Sequence, residues 1–301
     1  MLIVFGSMNM DLVSRVARLP VPGETLIGSA FFQAPGGKGA NQAVAARRTG
    51  AAVAMVGCVG ADSFGETFLH DFAADGIDVR GVRKVPGVAT GIGQIALGED
   101  GQNQIIVCPG ANFSVGAEEF AWLERLLPQA RALLLQLEVP MEANVRAVAM
   151  AAKHGVPVLL DPAPAQTLPP ELVRGSILKP NATEAAALVG GAVSTAADAK
   201  RAAHALLRHG AKGVIVTLGE HGGYYAMAGD DGVFATFPVK AIDTVAAGDA
   251  FQGAFAAALA EGKPFGEAVR WGAAAGALAT TKLGAMPSLP TRAEVEALLR
   301  R

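Results

Sequence analysis

The stretch Ala132-Leu133-Leu134-Leu135-Gln136, a segment of helical period over 141–153, and then Pro157-Val158-Leu159-Leu160 decide the fold. The two apolar runs do not alternate with polar residues, so they read as strands buried on both faces. The segment between them is long enough to cross back over a sheet. Strand, helix and strand in this order make a parallel pair with a right-handed crossover. The same unit recurs outward along the chain. Strands are expected at 2–6, 53–57, 176–179 and 213–218, and helices at 38–49, 62–74, 116–127, 182–189 and 195–209. The chain is therefore an α/β protein with a mostly parallel central sheet. The C-terminal part, 247–301, reads as three helices.

Two regions break the rhythm. Residues 12–35 and 82–108 read as short strands punctuated by Gly and Pro, with alternation in Thr90 to Leu97 and in Gln104 to Val107. They are expected to pair into a small sheet standing off the main body as a lid, within a single domain spanning 1–301. Phe31 and Phe32 are neighbours on one such strand and so point to opposite faces. A small sheet cannot cover both, which points to a homodimer through this sheet.

Composition excludes several classes. Apolar residues make up 51% and charged residues 17% of the 301, as in a compact folded chain. With 25 basic and 27 acidic residues and no basic run, nucleic acid is not an expected partner. Two cysteines, Cys58 and Cys108, make neither a disulfide framework nor a zinc site, and fit a reducing, cytoplasmic setting. Leu2-Ile3-Val4-Phe5 is ended by Gly6 and preceded by no basic region, so no targeting signal is expected. The Ala-rich stretches 253–260 and 272–279 fall short of the roughly 18 apolar residues of a membrane span.

Three segments carry chemistry. In Ala241-Ile242-Asp243-Thr244-Val245-Ala246-Ala247-Gly248-Asp249-Ala250-Phe251, small residues lead into a helix that starts near Asp249. The N–H groups of Ala246, Ala247 and Gly248, with the helix dipole, suit the charge of a transferring phosphoryl group. A carboxylate in that place can take a proton from an attacking hydroxyl. A bare Gly-Asp pair reads as an ordinary cap; its surroundings turn Asp249 into a candidate base. The second segment, Gly36-Gly37-Lys38-Gly39-Ala40-Asn41-Gln42-Ala43, is a Gly-rich loop opening a helix, and matches neither the P-loop nor the dinucleotide fingerprint. Asn41 lies one turn into that helix, where its amide can meet a substrate hydroxyl. The third is Ser7-Met8-Asn9-Met10-Asp11 at the end of the first strand, where parallel α/β sheets bind ligands. Asn9 and Asp11 share a face, and an Asp–Asn pair suits vicinal hydroxyls.

These segments, with Gly60-Ala61-Asp62-Ser63-Phe64-Gly65, Gln136-Leu137-Glu138, Asp161-Pro162-Ala163-Pro164-Ala165, Lys179-Pro180-Asn181-Ala182-Thr183-Glu184, Thr217-Leu218-Gly219 and Gly284-Ala285-Met286-Pro287-Ser288, make the chain similar nearly end to end to the ribokinase-like carbohydrate kinase superfamily. The resemblance implies a three-layer α/β/α sandwich with a β-sheet lid. It implies an ATP-dependent sugar kinase, with ribose as the expected sugar and deoxyribose, a ketose, a nucleoside or pseudouridine as the alternatives. A sugar-binding protein without catalysis is a rival, but it would be expected to carry a damaged base or anion hole. Asn9, Asp11, Gly36, Gly37, Lys38, Asn41 and Glu138 match the sugar site, Asp249 the base, and 246–248 the anion hole. Asn181 and Glu184 match an Asn-x-x-Glu motif that places magnesium and phosphates, although the same spacing fits a plain capping box. Thr217, Gly219, the Gly222-Gly223 turn and Ala273 match the ATP side. Asp243, Val245, Ala279, Gly284 and Ser288 match a monovalent-cation site for potassium.

Either Gly93 or Gln94 of the lid strand faces the pocket, and alternation alone leaves that open. Of five scattered histidines, His221 sits beside the Thr217–Gly219 loop as a candidate nucleotide contact. Glu118-Glu119 reads as a solvated helix start.

Overall fold

The computed structural model describes residues 1–301. Thirteen strands run β1 Leu2–Phe5, β2 Asn9–Val16, β3 Ala30–Gly36, β4 Val53–Gly60, β5 Asp78–Val85, β6 Gly91–Gly98, β7 Asn103–Cys108, β8 Ala132–Leu135, β9 Val158–Leu160, β10 Ser176–Leu178, β11 Gly213–Thr217, β12 Gly223–Met227 and β13 Asp230–Phe234. Ten helices run α1 Lys38–Arg48, α2 Ser63–Ala74, α3 Ala117–Leu126, α4 Met141–Lys153, α5 Pro170–Gly175, α6 Ala182–Val189, α7 Ala196–Arg208, α8 Ala247–Ala260, α9 Phe265–Ala279 and α10 Arg292–Leu299. Nine strands form one sheet in the order β13-β12-β11-β10-β9-β8-β1-β4-β5, and four form a second in the order β3-β2-β6-β7.

The large sheet is parallel from β11 through β5. The pleat splits its inner strands between two apolar layers. In β1, Leu2 and Val4 join one core with α1, α2, α8, α9 and α10, while Ile3 and Phe5 join the other with α3 to α7. That explains the lack of alternation in the strand sequences: both faces are dry. The three-layer architecture is as expected.

Several bounds differ from the sequence reading. The sequence reading missed β12 and β13, which add an antiparallel hairpin to the β11 edge. These strands are short and Gly-interrupted, so they carry little pattern. Residues 82–85, expected in the lid region, end β5 on the edge of the large sheet. The small sheet begins at Asn9 and takes 91–98 and 103–108 from its second segment. Glu119 is no solvated residue: it is 1% exposed, accepts the Gly116 N–H at 2.7 Å and pairs with Arg83 at 2.7 Å.

Register settles which lid residue faces the pocket. Gly93 lies opposite Asp11, and Gln94 opposite Leu12. A Cβ on Gly93 would stand 2.6 Å from Asp11 Oδ1, and one on Gly36 would stand 2.4 Å from Oδ2. Two glycines on β3 and β6 thus leave the room that Asp11 occupies between them, while Gln94 is exposed on the far face. Phe31 and Phe32 take opposite faces, 64% and 42% exposed.

The polar loops gather at the C-terminal ends of β1, β8, β9, β10 and β11, where chain order reverses across the sheet beside β1. Helices α1 and α8 meet closely above this edge. A Cβ on Gly253 would stand 2.5 Å from Ala45 Cβ and 2.6 Å from the Ala46 nitrogen. Gly253→Ala is therefore expected to cost about 1–3 kcal/mol by overpacking, despite the better helix propensity of Ala. A thermal melt unchanged from the parent would contradict so tight a contact.

Candidate active site

Asp249 stands in the first turn of α8 and is 6% exposed. Two neighbouring residues of α1 hold it. Asn41 Nδ2 donates to Oδ2 at 2.9 Å and Gln42 Nε2 donates to Oδ1 at 3.0 Å. The helix cap before it is unusual. Ala246 has φ 60°, the one non-glycine residue at positive φ, a conformation costing an alanine about 1–3 kcal/mol. The Ala247 N–H donates to Thr244 O at 3.3 Å, whereas those of Gly248 and Asp249 donate to no protein acceptor. Of the expected 246–248 set, Ala246 and Gly248 thus keep free N–H groups and Ala247 does not, and Asp249 adds a third free donor.

Burial pushes the Asp249 carboxyl up to about 6; Lys38 opposes this, the Asp161 charge adds to it, and the Asn41 and Gln42 hydrogen bonds hold it down. Asp11 is pushed up to about 7 by burial first, and then by the charges of Glu138 and Asp249. Burial alone would lower Lys38, but Asp249, Asp161, Glu138 and Glu184 around it raise it, so its ammonium stays charged.

On the small-sheet side, Glu138 accepts from Ser7 Oγ at 2.5 Å, from the Lys38 N–H at 3.0 Å and from Asn9 Nδ2 at 3.4 Å. Asn112 donates to Asn9 Oδ1 at 2.7 Å and clasps the Met8 backbone, which fixes the Asn9 amide. Gly37 has φ 85°, and a Cβ there would stand 2.6 Å from the Asn9 nitrogen. Asn9, Asp11, Gly36, Gly37, Asn41 and Glu138 thus converge beside Asp249.

On its other side opens a cavity of about 830 Å³, lined among others by Lys38, Asn181, Glu184, Thr217, Gly219 and Ala273. Gly248 and Asp249 are also among its lining residues. Asn181 caps α6: its Oδ1 accepts the Glu184 N–H at 2.9 Å, and Glu184 accepts from the Asn181 N–H and Nδ2 at 2.8 Å each. The capping box is real, and Glu184 lines the cavity all the same. His221 does not line it, though its neighbours Glu220 and Gly222 do; its side chain is exposed. Asp243 accepts the N–H groups of Val245 and Gly284 at 3.0 Å each, joining two loops, and Ser288 Oγ donates to Ala285 O at 2.7 Å. Ala279 and Ser288 are fully buried behind them.

Sequence reading assigned no role to Gln42, Gln136, Asp161, Lys179 or Asn112. Asp161 pairs with Lys179 at 3.3 Å, both 3% exposed, and Lys179 Nζ lies within reach of Gly248. For Gln136, Asp161 and Lys179 the one signal available was a polar residue just after a buried strand; Gln42 within α1 and Asn112 after β7 had none. The cavity wall formed by Phe234 and Thr236–Val239 carried none.

A family model described as the pfkB family carbohydrate kinase matches residues 1–292, and the chain belongs to that family. It is 43% identical over 294 residues to a ribokinase of Haemophilus influenzae, covering 97% of this chain and 96% of that one. It is 40% identical over 306 residues to a ribokinase of Schizosaccharomyces pombe, covering 98% and 96%. The structure of Arabidopsis thaliana ribokinase complexed with ribose and ATP superposes with a TM-score of 0.92 at 34% identity, over 100% of this chain and 98% of that one.

Two pH dependences follow. Asp249 accepts a proton only when ionised, so turnover is expected to fall as pH drops through about 6. Asp11 accepts hydrogen bonds from hydroxyls at both oxygens only when ionised, so sugar KM is expected to fall as pH rises through about 7. Steady-state profiles of kcat and of sugar KM between pH 5 and 9 check both; flat profiles would contradict them.

Proposed function

We propose that the chain transfers the terminal phosphoryl group of ATP to the 5-hydroxyl of D-ribose. The carrying observation is the place of Asp249, held by two amides between a hydroxyl-binding cluster and an 830 Å³ cavity. The ribokinase relatives supply the choice of sugar.

In this reading Asp11, Asn9, Asn41 and Glu138 hold the sugar hydroxyls. Adenine lies against Ala273, and the Thr217–Gly219 loop and Gly222-Gly223 turn hold the rest of the nucleotide. Its phosphates reach the free N–H groups of Gly248 and Asp249 and the ammonium groups of Lys38 and Lys179. Asp249 removes the proton from the attacking hydroxyl, and the fixed donors stabilise charge that spreads over the transferring group. Closure of the small sheet as a lid excludes water.

The donor set fits magnesium. Glu184 lines the cavity, its carboxyl raised by burial and then by the Asp161 charge, and a carboxylate already bonded to its own cap suits water held by the metal rather than direct ligation. Bound there, magnesium would neutralise phosphate charge. Potassium is assigned to the loops that Asp243 joins, beside Val245, Ala279, Gly284 and Ser288, the residues that match the family's monovalent-cation site. The exposed apolar residues Phe31, Phe32, Ile105, Ile106 and Val107 on the small sheet support a homodimer through the lid. No helix is long and apolar enough to cross a membrane, and the proposed setting is the cytoplasm.

Asp249→Asn is expected to lower kcat by about 10²–10⁴-fold with sugar KM little changed. Near-native turnover would remove Asp249 as base. An ATP-consumption screen over ribose, deoxyribose, fructose, adenosine and pseudouridine is expected to favour ribose, and a higher kcat/KM for another acceptor would replace that assignment. In the same assay, turnover is expected to be faster with potassium than in buffer free of both potassium and sodium; equal rates would argue against the cation site.

A further inference from the structure

Gln42 is fully buried on α1, and every polar atom of its side chain is engaged. Its single amide nitrogen donates to Asp249 Oδ1 at 3.0 Å and to Asp161 Oδ2 at 3.0 Å. Its Oε1 accepts from Gln136 Nε2 at 2.7 Å. A primary amide has two N–H bonds, and here each serves one carboxylate. The opposite orientation would set the amide oxygen against two acids, so the charges dictate which way the side chain points. Gln136 secures that orientation from β8's exit, and its own Oε1 packs over Gly6 without a partner.

We propose that Gln42 is a positioning residue for phosphoryl transfer. It ties Asp249 to the buried Asp161–Lys179 pair and fixes Asp249 Oδ1 so that its remaining lone pair faces the sugar hydroxyl. The proposal rests on the reading of Asp249 as the base. With Asn41 on Oδ2 and Gln42 on Oδ1, the carboxylate cannot rotate, and a near-attack geometry is kept without contact between Gln42 and substrate. The same amide separates two carboxylates that would otherwise repel across the site. Asp249 is faced by Lys38 from α1, Asp161 after β9 and Asp11 from β2, with Glu138 and Glu184 further off around Lys38. Lys179 acts on it through Asp161.

The test is steady-state kinetics of Gln42→Met, which keeps the length and removes the donors, beside Asp249→Asn in the full chain. Gln42→Met is expected to lower kcat by about 10- to 100-fold, the weight of one hydrogen bond to a charged group, with the KM values of sugar and ATP within about threefold. The acidic limb of its kcat profile is expected to move up by roughly one pH unit, because a donor to the ionised form is gone. A native kcat with an unmoved limb overturns the proposal. So does a loss in which both KM values rise, the thermal midpoint falls and the limb stays in place. Where Gln42→Met does not fold, Gln136→Met reads the same limb, with a smaller upward shift expected and none overturning the proposal. Asp249→Asn separates the two readings. If it is inactive while Gln42→Met is native, the role of Gln42 alone fails; if it turns over normally, the base assignment itself fails.

Discussion

A carboxylate moved out of water loses its hydration and tends to neutralise unless other donors replace it. Asp249 sits under that constraint, and much of the site is organised to meet it. Two consecutive amides of α1 hold its oxygens. Those amides reach it because α1 and α8 approach closely at Gly253, where an added Cβ would press on Ala45 and Ala46. The approach in turn depends on both helices packing on one face of the sheet, over Leu2 and Val4. A chain of contacts thus runs from the pleat of β1 to the placement of one carboxylate.

Charge balance sets the rest. Lys38 and Lys179 stand among Asp249, Asp161, Glu138 and Glu184, so two ammonium groups offset part of the charge of four carboxyls. Phosphates bring several negative charges, and in the proposed reaction the two ammonium groups and the free N–H groups of the α8 start are the donors that would meet them. Asp11, raised by burial and by the charges of Glu138 and Asp249, is the counterpart on the proposed sugar side. Its place is kept open by Gly36 and Gly93, which ties the position of its carboxylate to the backbone of the small sheet.

Much of this was legible along the chain. Non-alternating apolar runs located six of the nine strands of the large sheet, because strands dry on both faces leave that mark. Asn9, Asp11, Asn41 and Asp249 stood out because a polar residue at a strand end or glycine-led helix start has few other reasons to be there. Gln42 did not stand out. It follows Asn41 directly and looks like any helical glutamine, and only its 0% exposure and its two acid partners more than a hundred residues away distinguish it. Asp161 and Lys179 were hidden likewise, each lying in a motif with its partner on another strand.

The sequence by itself determined the α/β class, the parallel order of most strands and the residue types of a phosphoryl-transfer site, because periodicity and local turn chemistry act over a few neighbouring residues. Tertiary structure alone decided that Gly93 rather than Gln94 faces Asp11, that Glu119 is buried against Arg83, and that the Ala247 N–H is spent on Thr244 while that of Asp249 is free. Each of these is set by register, by a partner distant in the chain or by a single backbone dihedral, and none of those leaves a periodic trace in the amino-acid order.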